Sequence, residues 1–156
     1  MERNKIYFAS DFHLGIPDFD SSLEREKKIV RWLSSIENDA AKIFLVGDLF
    51  DFWFEYKYVV PRGHVRLLGK IAELKDKGID IHVFTGNHDL WMYGYFEEEL
   101  KVPVHHDSIQ FEFGGKKFFV GHGDGIGPGD NGFKLMKRIF KSKAAQVLYG
   151  MLHPYI

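Results

Sequence analysis

Residues 81–89 read IHVFTGNHD, a short apolar run that ends in an amide, an imidazole and a carboxylate in immediate succession. Apolar runs of this length, rich in aromatic and β-branched residues, are typical of buried strands. A turn alone would explain the Gly-Asn pair. However, three other runs in the chain end in a similar way, so the stretch belongs to a repeated pattern.

Four apolar runs share this pattern, and each is followed at once by side chains that can bind a metal ion. The runs are KIYFAS (5–10), KIFLVG (42–47), IHVFTG (81–86) and KFFVG (117–121). The polar residues that follow them are, in order, Asp11 with His13, Asp48 with Asp51, Asn87 with His88 and Asp89, and His122 with Asp124. Because ligands bind outside the carboxyl ends of parallel strands, we expect one site built from four strand ends.

Helix-like stretches separate the first three runs. One begins with Asp20 or Ser21 as the predicted N-cap, and the second runs from about His64 to Lys77, with Gly78 as the predicted C-cap. This alternation predicts parallel strands joined by right-handed crossovers. Gly114-Gly115 predicts a hairpin, so we expect a mixed sheet in a single α/β domain over 1–156.

Composition excludes several classes of site. The chain has no Cys, which rules out disulfides and thiolate ligands and is typical of a reducing compartment. No apolar run approaches the roughly 20 residues that span a bilayer. We therefore expect a cytoplasmic protein, and a metal site built from His, Asp, Glu or Asn.

Charge is distributed unevenly along the chain. Residues 131–156 carry a net charge of +5 and the rest carries −6, and apolar residues recur between the cations at near-helical spacing. Such a helix either packs on its own domain or binds an anionic membrane surface, here the inner face of the membrane. Nucleic acid is not an expected partner, because the part of the chain that carries the predicted site is acidic.

The donor types indicate the chemistry. Asp11 and His13 lie two residues apart, so in an extended segment their side chains point the same way. Carboxylate, carboxamide and imidazole together favour Mn²⁺ or a similar divalent ion. Two such ions would offset the repulsion between Asp11 and Asp48 and attract a phosphate ester, so phosphoryl transfer is the natural use of the site.

The motif series D-x-H, GDxxD, GNHD and GHGD resembles that of the calcineurin-like metallophosphoesterase superfamily. The resemblance implies a metallophosphoesterase-like α/β sandwich with a dinuclear centre for two divalent metal ions, most simply Mn²⁺. The ligands that it implies are Asp11, His13, Asp48, Asn87 and His122. It also implies that His88 assists the transition state or the leaving group.

A narrower resemblance covers most of the chain. The stretches GDLFDFWFEY, GNHDLWMYGYFEEEL and GHGDGIGPGDNGFK are similar to those of the UDP-2,3-diacylglucosamine hydrolases of lipid A biosynthesis. This family cleaves the pyrophosphate of a UDP-linked diacylated glucosamine, releasing UMP and the diacylglucosamine 1-phosphate. The resemblance implies that Asn87, His88 and Asp130 contact substrate, and that 131–156 begin a helical insertion that recognises acyl chains. The best-known branch has Arg in place of His88.

One departure from the family pattern leaves alternatives open. The superfamily has a late GHxH motif that gives one His to each ion, and HPYI at 153–156 does not match it. We therefore expect either a C-terminally truncated chain or ligands from elsewhere. The alternative functions are a broad-specificity metallophosphodiesterase or nuclease, and a catalytically inactive metal- or lipid-binding fragment.

Other polar and aromatic residues have two interpretations each. Asp51, Asp89 and Asp124 are either residues that orient metal ligands or turn and cap residues. The aromatic run FWFEYKY (52–58) is either core and loop or the wall of an acyl or nucleotide pocket. The histidines without a matching motif are predicted to be structural or at the surface, namely His64, His82, His105 and His106.

Overall fold

The computed structural model describes residues 3–124 and 131–153. Its helices and strands are β1 (Lys5–Ala9), α1 (Phe19–Ile36), β2 (Ala40–Val46), α2 (Val65–Asp76), β3 (Asp80–Phe84), α3 (Tyr95–Glu98), β4 (Val104–His105), β5 (Ile109–Phe113), β6 (Lys116–Val120), α4 (Asn131–Phe140) and α5 (Lys143–Gly150). The alternation of strands and helices confirms the α/β class. In the described part of the chain, none of the helices has both the length and the apolar character needed to cross a bilayer.

The four strands β1 to β4 form a parallel sheet in their order along the chain. Strands β5 and β6 pair antiparallel, with Phe113 opposite Lys116, and the predicted hairpin turn is confirmed at Gly114 (φ 57) and Gly115 (φ 72). Among the described residues this hairpin forms a sheet of its own, so the expectation of one mixed sheet was wrong. The hairpin packs against the face of the parallel sheet through its aromatic residues and does not extend its edge.

One face of the parallel sheet packs against α1 and α2. Side chains alternate along β2, so that Ile43 and Leu45 point to this face while Phe44 belongs to the opposite one. The helices bury Ile29, Leu33 and Ile36 from α1 and Leu67, Leu68, Ile71 and Leu74 from α2. These aliphatic side chains fix both helices on the sheet, as the helical spacing predicts.

The opposite face of the sheet carries an aromatic cluster centred on Phe44. Its ring centroid lies 5.2 Å from Phe8, 4.6 Å from Phe111 and 5.0 Å from His82. The parallel sheet is therefore covered by helices on one side and by the hairpin on the other, while its carboxyl edge carries the loops that hold the predicted site.

The N-cap of helix α1 lies two residues before the first predicted cap. Its N-cap is Asp18, whose Oδ1 accepts a hydrogen bond from Ser21 N at 2.9 Å, so the predicted caps Asp20 and Ser21 were wrong. The apolar spacing from which the start was predicted begins only at Leu23, inside the helix. The bounds of helix α2 agree with the prediction to within one residue at each end, but its C-cap is Lys77, and the predicted C-cap Gly78 (φ 79) is the residue after it.

Two further helices are capped by side chains that are distant in sequence. His64 at the N-cap of α2 offers no side-chain hydrogen bond, and Glu26 of α1 accepts from Arg66 N and Leu67 N at 2.8 and 2.9 Å instead. Glu55 likewise accepts from the amides of residues 93–95 at the start of α3, at 2.7 to 3.0 Å. These contacts tie the helices to the body of the protein.

Candidate metal centre

The loops after β1 and β2 join side by side through their backbones. Asp11 N donates to Gly47 O at 3.1 Å, His13 N to Asp48 O at 2.9 Å, and Asp51 N back to Leu14 O at 3.0 Å. The parallel pairing of the two strands thus continues into the loops that carry the first two predicted motifs. As a result, the Asp11, His13 and Asp48 side chains meet at one point.

Three of the predicted ligands lie on left-handed backbone. The φ angles are 58° at Asp11, 43° at His13 and 52° at Asp48. The expectation that Asp11 and His13 converge because they lie on an extended segment was therefore wrong; their convergence comes from a tight turn after the strand. Such a backbone is unfavourable for residues other than glycine, and it concentrates at functional sites.

Asp48 is the centre of the cluster. Its Oδ2 lies 3.8 Å from His13 Nε2 and 3.3 Å from His122 Nε2, and its side chain is only 5% exposed. Ligand atoms of Asp11, His13 and Asp48 all lie within 4.8 Å of one another, and His13 Nε2 is 3.9 Å from Asp11 Oδ1. The structure thus brings four of the five predicted ligands together.

The cluster also fits a divalent ion by its chemistry. Its donors are carboxylate oxygens and imidazole nitrogens, which divalent first-row ions accept. The Nδ1 atom of His13 is buried and makes no hydrogen bond to any described residue. A bound cation would offset the repulsion between the crowded carboxylates, and it could supply the partner that the buried nitrogen lacks.

A second group of candidate ligands adjoins the first. Asp51 Oδ1 lies 3.2 Å from His88 Nδ1 and 3.9 Å from His13 Nδ1, and the two imidazole rings meet edge to face at 4.8 Å. Asp51, His13 and His88 could themselves hold an ion. Asp51 therefore faces both histidines, as a residue that orients ligands would.

Electrostatics link Asp48 and His122. Burial acts to raise the pKa of Asp48, but hydrogen bonds from the His122 ring and the His88 amide outweigh it, so the pKa lies below its usual value. The hydrogen bond to Asp48 raises the pKa of His122 to about 9. His122 Nδ1 also lies 3.0 Å from Val46 O, which fixes the ring so that Nε2 points to Asp48.

Asp89 connects the loops after β2 and β3. It is fully buried, and its carboxylate accepts from Gly86 N at 2.7 Å and from Leu49 N at 2.8 Å, with longer contacts to Asp48 N and Phe50 N. Burial raises the pKa of Asp89 to about 6. Asp89 therefore sets the positions of both loops but does not face the cluster, and it acts as a turn residue that places Asp48.

Two glycines are required by the close approach of these loops. A Cβ on Gly86 would lie 2.0 Å from Asp48 Oδ1 and 2.6 Å from Asp48 N. A Cβ on Gly47, which has φ 78, would lie 2.6 Å from His122 Nδ1. The glycine in each of these motifs therefore makes room for a candidate ligand.

Asn87 and His88 border an apolar cavity of about 330 Å³. Its other walls are Asp51, Phe52, Leu90, Trp91, Phe140 and Tyr149. Among the described residues the Asn87 side chain makes no hydrogen bond to another predicted ligand, so its part in metal binding stays a prediction. The aromatic run at 52–58 contributes Phe52 to this wall, while Trp53 is fully buried core. The core interpretation therefore holds for Trp53, and the role of the run in an acyl or nucleotide pocket stays a prediction.

The remaining predicted residues lie at the margins of the site or beyond it. Asp124 Oδ2 lies 2.5 Å from Lys137 Nζ of α4, a contact that the sequence did not predict. Asp130 is outside the described residues. The His64 ring packs at a tilt against Phe50, with centroids 4.8 Å apart, and His82 contacts His105 with ring nitrogens 2.9 Å apart, as expected for structural histidines.

Comparison with known proteins gives one family and a set of relatives. A family model described as calcineurin-like phosphoesterase matches residues 4–153. The UDP-2,3-diacylglucosamine hydrolase of Porphyromonas gingivalis (strain ATCC BAA-308 / W83) is 44% identical over 153 residues, which are 97% of this chain and 58% of that protein. The protein of the same name from Neisseria meningitidis serogroup B is 29% identical over 147 residues, 94% of this chain and 59% of that protein. The chain thus spans less than two thirds of the length of these relatives.

Proposed function

The chain belongs to the calcineurin-like phosphoesterase family, and from this premise we propose that it forms part of a UDP-2,3-diacylglucosamine hydrolase. The proposed reaction is hydrolysis of the pyrophosphate at the α-phosphorus, which releases UMP and 2,3-diacylglucosamine 1-phosphate. The relatives that carry this name match nearly the whole chain. The structural observation that supports the substrate is the apolar cavity, because Asn87 and His88 form part of its wall.

Membership of the family implies divalent metal ions. We propose that there are two, most simply Mn²⁺, and that Asp11, His13, Asp48, Asn87 and His122 hold them. When bound, such ions polarise phosphoryl oxygens and lower the pKa of water. The protein contributes a fixed set of donors, since Asp48 is held by His122 and by the His88 amide, and the loops are held by Asp89.

His88 is suited to contact the phosphate. Its side chain is 40% exposed, and its Nδ1 lies 3.2 Å from Asp51 Oδ1 and 3.1 Å from Asp51 O. With Nδ1 donating to Asp51, Nε2 is the nitrogen that can face the phosphate, and in the imidazolium form of the ring it donates to a phosphoryl oxygen or to the leaving group. Asp130 is proposed to position the sugar, from the resemblance alone.

The cavity beside His88 is suited to an acyl chain. The Trp91 ring lies 5.5 Å from Phe140 of α4 and 4.8 Å from Tyr149 of α5, so both helices contribute to its walls. Trp91 Nε1 also donates to Phe140 O at 2.9 Å, which fixes α4 there. We propose that an acyl chain lies in this cavity while the pyrophosphate reaches the metal centre.

An assay of the full-length protein with Mn²⁺ tests the substrate. We expect kcat/KM for UMP release from UDP-2,3-diacylglucosamine to exceed that for a UDP-sugar without acyl chains by about 10²-fold, because the apolar cavity contributes binding only to the acylated substrate. Hydrolysis of a generic phosphodiester gives the comparison for the broad phosphodiesterase or nuclease. Faster turnover of that diester would contradict the lipid assignment, and no turnover of any substrate would favour an inactive binding protein.

We further propose that α4 and α5 bind an anionic membrane surface on the cytoplasmic side. Their exposed apolar side chains include Ile139 (52% exposed) and Leu148 (67%), and Met151 (77%) follows at the C-cap of α5. Residues 131–156 carry +5, although Lys137 and Lys141 already pair with Asp124 and Asp107 on the body of the protein. Exposed apolar groups between cations are typical of helices that lie at a bilayer interface.

Co-sedimentation with vesicles of phosphatidylglycerol and phosphatidylethanolamine tests this proposal. We expect Leu148→Glu to lower the partition coefficient at least about tenfold, because the variant loses the burial of one Leu side chain and gains a negative charge. Val65→Glu is the matched control, since Val65 is 73% exposed but lies on α2. Equal partitioning of the two variants would contradict the assignment of this face.

A further inference from the structure

The loop that carries Asp11 and His13 is held from outside the metal cluster by one side chain of α1. Arg25 Nη1 donates to His13 O at 2.7 Å and lies 3.1 Å from Ile16 O and 3.3 Å from Phe12 O. These three carbonyls span the loop between β1 and α1. A single guanidinium nitrogen therefore contacts the backbone on both sides of a candidate ligand.

This loop needs such support because of its backbone conformation. Asp11 and His13 both have positive φ, which residues other than glycine seldom adopt unless their surroundings enforce it. On the inner side, the loop is held by backbone hydrogen bonds to residues 47–51. On the outer side, Arg25 and Ser22 hold it, and Ser22 Oγ accepts from Gly15 N at 2.8 Å.

The contacts of Arg25 also indicate that its role is not that of an ordinary ion pair. Within residues 3–124 and 131–153, no carboxylate lies within salt-bridge distance of its guanidinium group, and the side chain is partly buried. Its hydrogen bonds go to carbonyl groups, which a charged donor strengthens. An exposed arginine of the same helix, Arg31, has no comparable contact with the part of the chain that the structure describes, and it provides an internal comparison.

We propose that Arg25 is a positioning residue that holds the Asp11–His13 loop in its metal-binding conformation. The inference rests on the proposed metal centre, but not on the identity of the substrate. Arg25 acts through the backbone of His13: holding the His13 carbonyl fixes the position from which the ring projects, and the ring's Nε2 lies 3.8 Å from Asp48 Oδ2. Removing the guanidinium group lets the loop relax, so that metal binding must then reorder it.

The test is direct Mn²⁺ binding to the full-length protein by calorimetry, without substrate. We expect Arg25→Gln to weaken the affinity by about 10- to 100-fold, the range found when a residue that orients a metal ligand is lost. Arg31→Gln should bind Mn²⁺ as the unaltered protein does. Arg25→Lys should recover part of the affinity, because an ammonium group keeps the positive charge and can donate to His13 O, but its different geometry does not place it against Ile16 O and Phe12 O as Nη1 is placed.

A second readout separates positioning from a purely structural role. The rise in Tm that Mn²⁺ causes should shrink in both Arg25 variants relative to Arg31→Gln, whatever the Tm of the metal-free protein. The Co²⁺ absorption spectrum of Arg25→Lys should also change, since the donor geometry alters. If Arg25→Gln does not fold, the Mn²⁺ affinity, Tm rise and Co²⁺ spectrum of Arg25→Lys test the inference. Unaltered affinity, Tm rise and spectrum would overturn the inference, whereas absence of metal binding by the unaltered protein would overturn the proposed function itself.

Discussion

Replacing Asp48 by Asn is expected to remove most of the activity, with kcat for UMP release falling on the order of 10³-fold, and to lower the metal content of the purified protein. Asp48 Oδ2 lies between His13 and His122, and Oδ1 accepts from the His88 amide. Asn keeps the shape and one acceptor oxygen, but it loses the negative charge on which cation binding depends. The loss corresponds to about 4 kcal/mol of the stabilisation that a bound ion gives a phosphoryl transition state.

The matched control for this variant is Asp107→Asn. The Asp107 side chain is 90% exposed, and its contact is with Lys141 and not with a predicted ligand. Metal content measured by elemental analysis, together with kcat and KM, should remain unaltered in this control. Asp48→Asn with normal metal content and normal kcat would show that the centre lies elsewhere.

The second large effect is expected for Gly86→Ala. The new Cβ would meet Asp48 N and Oδ1, so the loops after β2 and β3 must move apart, and this movement disrupts the hydrogen bonds that Asp89 makes to both loops. Overpacking a closely packed site against backbone costs about 3 kcal/mol. Urea unfolding of the metal-free protein should show this loss, and Mn²⁺ affinity should fall with it.

Gly69→Ala is the matched control for Gly86→Ala. Gly69 lies in α2, where a Cβ would meet no atom within 4 Å, so the same substitution should raise the free energy of unfolding by about 0.5 to 1 kcal/mol. The two variants thus add the same methyl group but should change the free energy of unfolding in opposite directions. Equal effects would contradict the close approach described for Gly86.

The strands and their carboxyl-end motifs could be predicted because both signals are local. An apolar run followed by polar donors marks each strand end, and α/β topology places such ends together. The elements that the sequence did not predict are short: α3 has four residues and β4 has two. Their formation depends on contacts from elsewhere, such as Glu55 at the start of α3 and the parallel pairing of β4 with β3.

Within the site, the types of residue could be predicted but not all of the geometry. The motif indicated Asp11 and His13, but the turn that brings them together has positive φ angles. The spacing of residues in a strand does not predict such angles. Arg25 and Asp89 act mainly through backbone carbonyl and amide groups, so their partners have no sequence signature. In the sequence, Arg25 cannot be distinguished from the other charged residues on the polar side of this amphipathic helix, because its role depends on the fold of the loop that it contacts.

The order β1-β2-β3-β4 has a consequence for how the protein is made. Each strand of the parallel sheet lies beside the strand synthesised just before it, so the sheet can grow by addition at one edge while the chain leaves the ribosome. The first three motifs are in place once β3 has paired, but His122 arrives only with β6. Biosynthesis therefore completes the four-residue cluster with a histidine that follows the hairpin, and we expect metal binding to these proposed ligands to come late in folding.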